Sequence, residues 1–140
     1  MTPIRRLFRS EGGAAAVEMA FALPVLVVML WAFVQLAQVY RAVAGIQQAL
    51  GEGARYATLC VNPTNSGCGA PSTDQVKTKI QSSVYGIGPG TFTVPTPTSG
   101  TDGTGKYYDL TVSYSQPTNL LMFPGPTMSL SRSKRVWIAG

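Results

Sequence analysis

The sequence predicts an α+β chain: a long amino-terminal transmembrane helix that extends into a small extracytoplasmic domain with one short helix and about three antiparallel strands. Three observations carry this expectation. Met19 to Tyr40 is a run of twenty-two residues without a charge. Leu36, Tyr40, Val43, Ile46 or Gln47, Leu50, Ala54 and Ala57 then recur three or four residues apart, the period of one helical face. Tyr108, Leu110, Val112 and Tyr114 alternate with Asp109, Thr111, Ser113 and Ser115, the period of a half-buried strand.

The helix comes first. About twenty apolar residues, rising roughly 1.5 Å each, cross a hydrocarbon core of about 30 Å. From Ala14 to Ala44 the only charged residues are Glu18 and Arg41, and Gln35 and Gln38 interrupt the run late. A helix buried in a soluble protein would carry a polar face here. Arg5, Arg6 and Arg9 precede the run, with Glu11 the one acid beside them. Basic residues flanking a span stay on the cytoplasmic side, so the amino terminus faces in and the rest faces out. The net charge of +5 owes much to this leader; without residues 1–13 it falls to +3. A nucleic-acid partner would need its basic cluster on the folded domain instead.

These features divide the chain into a basic leader (1–13), an amino-terminal helix (14–58, with a membrane span at about 19–40 and an outer amphipathic half at 41–58) and a small domain (59–140). The helix would form a rod of roughly 65–70 Å, about twice a bilayer core. Its outer part must therefore protrude and carry the domain, which is too small to bury a large core alone.

Within the domain, Cys60 and Cys68 lie in an oxidising compartment, where they can pair. The residues between them are rich in turn formers, so the ends can meet. Such a closure stabilises a fold by about 2.5 kcal/mol in the chain-entropy account. A metal site is a poorer reading, because the chain has no histidine and no second cysteine pair; a tetrahedral zinc set cannot be built. A redox-active pair usually has Cys-x-x-Cys spacing.

Ser72 and Gln75 form a Ser-x-x-Gln capping box, opening a short helix with Val76, Ile80 and Val84 on one face and Gly86 as its stop. Thr91 to Val94 reads as a strand ended by Pro95 and Pro97. Residues 99–105 read as a turn. Met128, Leu130, Val136 and Ile138 share one parity along a last strand, after a break at Pro124-Gly125-Pro126.

Several motifs have bland explanations. Gly100 to Lys106 has the spacing of a phosphate-binding loop as far as its lysine. Tyr107, however, stands where a magnesium-ligating hydroxyl belongs, and a strand follows instead of a helix. Arg132, Lys134 and Arg135 could bind an anion, but a charged strand that resists edge pairing is the commoner arrangement. Tyr107 and Tyr108 fit strand packing. The lack of histidine removes the usual general base, and Glu52, Asp74, Asp102 and Asp109 fall in separate elements. The chain reads as a non-enzyme, with no cofactor, metal, small-molecule substrate or nucleic acid.

Glu18 differs from these, because a carboxylate inside a span is costly and functional unless it snorkels to the interface. It lies five residues after Gly13, behind Arg-Arg-Leu-Phe-Arg. In this the sequence resembles prepilins of the type IV class, in which a membrane peptidase cuts after the glycine and leaves glutamate at the fifth mature position. The stretch Gly13-Ala-Ala-Ala-Val-Glu-Met-Ala-Phe-Ala-Leu-Pro24 and the later Gly51-Glu-Gly-Ala-Arg-Tyr-Ala57 are similar to the TadE-like family, minor pseudopilins of the tight-adherence (Flp) pilus system. The resemblance covers the first sixty residues well and the remainder in outline. Ala14 replaces the phenylalanine of the type IV pattern, and Met19 the tyrosine of the short Flp pilin.

The resemblance implies a pilin-like fold, cleavage between Gly13 and Ala14 by prepilin peptidase, and residence in the inner membrane. It also implies, as partners, membrane lipid, other Tad pilus subunits and the inner-membrane assembly platform. Cleavage would create a cationic amine at Ala14 that Glu18 can neutralise, and paired charges tolerate a low dielectric that each alone resists. Pro24 removes the helical bond to Ala20 and can kink the helix. Two other readings remain: a generic single-pass anchor that holds an extracytoplasmic binding domain and is never cleaved, and a secreted protein cut after Ala44, for which the apolar run is too long.

Overall fold

In the computed structural model, residues 11–64, 67–84, 89–103, 105–120 and 123–138 are described. Helix α1 spans Glu11–Ala57. A two-stranded ribbon, β1 (Asn62–Thr64) and β2 (Gly67–Gly69), leads to helix α2 (Thr73–Val84). Four strands follow: β3 (Thr91–Thr93), β4 (Thr98–Asp102), β5 (Gly105–Leu120) and β6 (Phe123–Ile138). The fold is α+β, as the sequence predicts, with a fuller sheet than the three strands expected.

Strand β5 organises the sheet. Antiparallel β6 pairs along almost its whole length. On the other edge of β5, β4 pairs from Gly105 to Asp109 and β3 from Ser113 to Ser115. The even residues of β5 face the helices: Leu110 and Val112 are fully buried, and Tyr114 and Gln116 nearly so. Fully burying one such aliphatic side chain is worth about 1.5–3 kcal/mol.

The core lies between this face, α2 and the outer half of α1. Val76, Ile80 and Val84 are buried on α2, as their spacing predicts. Its start is a reciprocal capping box: the Gln75 amide donates to Ser72 Oγ (3.3 Å) and the Ser72 amide to Gln75 Oε1 (2.9 Å). Gly86 lies outside the described residues.

The outer part of the expected stripe is buried: Ile46, Leu50, Ala54 and Ala57 lie on the core face of α1, together with Ala42 and Ala49, whereas Leu36, Tyr40 and Gln47 are exposed. Residue size explains the choice. Small side chains let α2 approach, and an added Cβ at Gly53 would sit 2.4 Å from Ile80 Cγ1. A face of Leu and Tyr would hold the two helices apart.

Two turn expectations also change. The segment read as a turn at 99–105 is mostly strand β4. The hairpin closes between Asp102 and Gly105, and Gly105 takes φ +140°, which side-chain-bearing residues rarely adopt. Pro124-Gly125-Pro126 does not precede the last strand but lies within β6. The described residues offer no strand to the other edge of β6, and an edge tolerates proline because fewer amide donors are needed there.

Candidate functional site

From Met19 to Val34, α1 carries no polar or charged side chain except the indole N–H of Trp31. Its large apolar residues there are all exposed, from Trp31 at 39% to Phe21 at 74%. α1 is long and apolar enough to cross a membrane, and its most apolar stretch is covered by no other part of the molecule. Among the described residues it is the one helix of this kind.

Gly13, Ala14 and Glu18 are exposed at the amino-terminal end of this cylinder. Residues 1–10 of the leader lie outside the described residues, and α1 is already helical at Glu11. Ala14 and Glu18 are four apart on a continuous helix, and therefore neighbours on one face. The α-helix passes through Pro24 without interruption.

The domain grips α1 lower than expected, through polar groups. Gln116, buried on β5, donates from Nε2 to Gln38 Oε1 (2.9 Å) and Gln35 Oε1 (3.4 Å). Its own Oε1 accepts from Tyr114 Oη (2.7 Å), which in turn accepts from the Gly90 amide (3.0 Å). Three residues on, the Asn119 carbonyl accepts from Trp31 Nε1 (2.7 Å) and Gln35 Nε2 (3.3 Å). The register partner of Asn119 is Pro124, which has no amide proton to give; the helix fills that carbonyl instead.

This clamp was missed from sequence, where Gln35 and Gln38 looked like interruptions of an apolar run. The available signal was their three-residue spacing together with Gln116, a polar residue at a core-facing position of β5.

The opposite sheet face is exposed. Arg135 pairs with Asp109 through two hydrogen bonds, Nε to Oδ1 at 2.8 Å and Nη2 to Oδ2 at 2.9 Å. Its guanidinium also lies 4.0 Å from the centre of the Tyr107 ring, and Tyr107 meets Trp137 edge-on at 5.4 Å. The hydrogen bonds from Arg135 hold the Asp109 carboxyl below its ordinary value, and the same bonds raise Arg135. Arg132 and Lys134 lie opposite buried Val112 and Leu110 yet are exposed. Charges on the core-facing parity of an edge strand oppose further strand pairing.

Cys60 is bonded, not a free thiol. Cys68 stands in β2 opposite Pro63, so the cysteine segment folds back as a hairpin. Its side chain is not among those described. Glu52 and Asp74 are exposed and distant in sequence from Asp102 and Asp109 on the sheet.

Residues 13–55 match the family of TadE-like proteins, the family that the leader, Glu18 and the 51–57 stretch resemble. The matched segment covers the exposed cylinder, both clamp glutamines and most of the small-residue face. No curated protein and no solved structure matches the chain.

Proposed function

Starting from an amino-terminal helix of the TadE-like family, associated with the Tad pilus, we propose that this protein is a minor pilin (pseudopilin) of the tight-adherence pilus. In this reading residues 1–13 are a leader, α1 anchors the subunit in the inner membrane with its amino terminus cytoplasmic, and residues 59–140 lie outside. The protein then supports pilus assembly and surface adhesion with other Tad subunits and the assembly platform.

One observation carries the reading: Glu18 stands one helical turn from Ala14 at the foot of a fully exposed apolar cylinder. Prepilin peptidase cutting between Gly13 and Ala14 would put a cationic amine there, beside a carboxylate on the same face. The carboxylate would also sit in the first turns of the new helix, where the macrodipole favours negative charge. Gly12 and Gly13 assist the cut, since each glycine weakens a helix by about 1 kcal/mol relative to alanine. Pairing of Cys60 with Cys68 belongs to the same reading, because both would be translocated.

Mass spectrometry of the mature amino terminus tests it. A protein beginning at Ala14 only in cells with prepilin peptidase is the expected result. An intact Met1 terminus in the presence of active peptidase would return the chain to an uncleaved single-pass anchor.

A further inference from the structure

We propose that the uncharged end of the β5–β6 pair, at Asn119, Phe123 and Met128, enters the outer leaflet of the bilayer, giving the domain a second membrane contact beside α1. The proposal rests on the membrane reading of α1 and not on the pilus reading.

The level of the hairpin along the helix is the first reason. Strand β5 runs antiparallel to α1. An added Cβ at Gly53 would lie 3.6 Å from Leu110 Cδ1, Gln116 reaches Gln38 and Gln35, and Asn119 reaches Gln35 and Trp31. The nine strand steps from Leu110 to Asn119 cover about 30 Å, and the twenty-two helix steps from Gly53 to Trp31 about 33 Å, so the two keep pace. Beyond Asn119 the hairpin continues toward the amino terminus of α1, past the last polar side chain, Gln35. There the surface of α1 is apolar all round. Trp31 lies twelve residues, about 18 Å, along the charge-free run that starts at Met19, which puts it in the outer half of a core of about 30 Å.

The second reason is charge. Between Asp109 and Arg132 neither strand carries an Asp, Glu, Lys or Arg. Lys106, Asp109, Arg132, Lys134 and Arg135 all stand at the far end of the sheet. The sheet is thus polarised along its length, uncharged toward the membrane. At the uncharged end Phe123 is 72% exposed and Met128 is 44% exposed. In sequence, Leu120-Leu121-Met122-Phe123 has no polar side chain.

The third reason is the backbone. An open strand edge in lipid leaves amide donors unsatisfied at several kcal/mol each. Pro124 and Pro126 remove two donors from this end of β6. The Asn119 carbonyl and the Trp31 indole satisfy one another. Between helix and hairpin lies an apolar cavity of about 500 Å³, with Val28, Trp31, Leu36, Pro126 and Met128 in its wall. At this depth the occupant is a lipid acyl chain.

The test uses the full chain in liposomes, with a photoreactive benzoylphenylalanine placed singly at three exposed aromatic positions. Phe21→benzoylphenylalanine reports the span, Trp137→benzoylphenylalanine the charged end of the sheet, and Phe123→benzoylphenylalanine the uncharged end. Illumination should give lipid adducts from 21 and 123 in comparable yield, at least several-fold above 137. Lipid adducts from 21 with none above the 137 level from 123 would overturn the proposal and leave the span intact. A protein adduct from 123 in place of lipid would also overturn it, assigning the uncharged end to a neighbouring subunit. No lipid adduct from 21 would defeat the membrane reading itself, and this proposal with it.

Discussion

Gln116 on β5 and Gln38 on α1 meet side chain to side chain at 2.9 Å across seventy-eight residues of sequence. The contact closes a relay from the Gly90 amide through Tyr114 to the helix. Replacing Gln116 with a group of similar volume and no hydrogen-bonding capacity isolates the polar part. Gln116→Met should destabilise the domain by about 1–3 kcal/mol, the cost of stranded polar partners. Urea denaturation of the full chain in detergent micelles measures it. A neutral result would mean that apolar packing alone holds the sheet to the helix.

Two glycines one place apart from adjacency, Gly51 and Gly53, should respond with opposite sign. An alanine methyl at 51 meets nothing within 4 Å, so Gly51→Ala gains helix propensity and should stabilise by up to about 1 kcal/mol. At 53 the same methyl collides with fully buried Ile80. Overpacking costs about 1–3 kcal/mol, which exceeds the propensity gain, so Gly53→Ala should lower the denaturation midpoint. Both variants rising together would show that Ile80 shifts without cost.

The Asp109–Arg135 pair gives a pH signature. The Asp109 carboxyl is held below its ordinary value of 3.8 by the hydrogen bonds from Arg135. A depressed carboxylate contributes stability above its unfolded value and loses it as pH falls through the folded one. Wild type should therefore exceed Asp109→Asn near neutrality, with the gap closing below about pH 4. The pair is exposed, so added salt should also narrow the gap. Denaturation midpoints across pH, at low and high salt, give the comparison; parallel curves would leave the pair without influence.

Glu18 separates assembly from insertion. Glu18→Gln keeps size and hydrogen bonding while removing the charge. If the Ala14 amine of a processed subunit pairs with this carboxylate, the variant should insert, be cleaved and fold, yet co-purify poorly with other pilus subunits and yield fewer surface pili. A snorkelling carboxylate would instead make the change neutral or mildly favourable to insertion. Unchanged association at matched protein levels would reduce Glu18 to an incidental polar residue.

What could be read from the sequence was local. The charge-free run, the Ser72–Gln75 box and the alternation of β5 depend on residues close together in the chain, and each fixes its element. The helix face was legible from Ile46 to Ala57 and misjudged only at Leu36 and Tyr40, which hydrophobicity favours but which stay exposed; the close approach of Ile80 to Gly53 depends on the packing of α2 and leaves no periodic signal. Strand β4 was taken for a turn because Thr, Ser, Gly and Asp are turn formers by composition; pairing with β5 overrides that preference. The Pro-Gly-Pro segment was taken for a break because its tolerance depends on β6 being an edge, a property of the sheet. Trp31 and Asn119 could not be joined, since the contact is made by a backbone carbonyl and leaves no trace in side-chain identity.

The Trp31–Asn119 contact spans eighty-eight residues, and this sets an order of events during synthesis. The helix forms from neighbouring residues within about a microsecond once the chain is free to fold. The clamp has to wait until β5 has been made and brought back, and contacts so distant in sequence form slowly. The joint between sheet and helix is therefore among the last to close. A chain halted before Gln116 would present Gln35 and Gln38 bare on an otherwise greasy rod. Unfinished copies would thus differ from finished ones along this side of the helix.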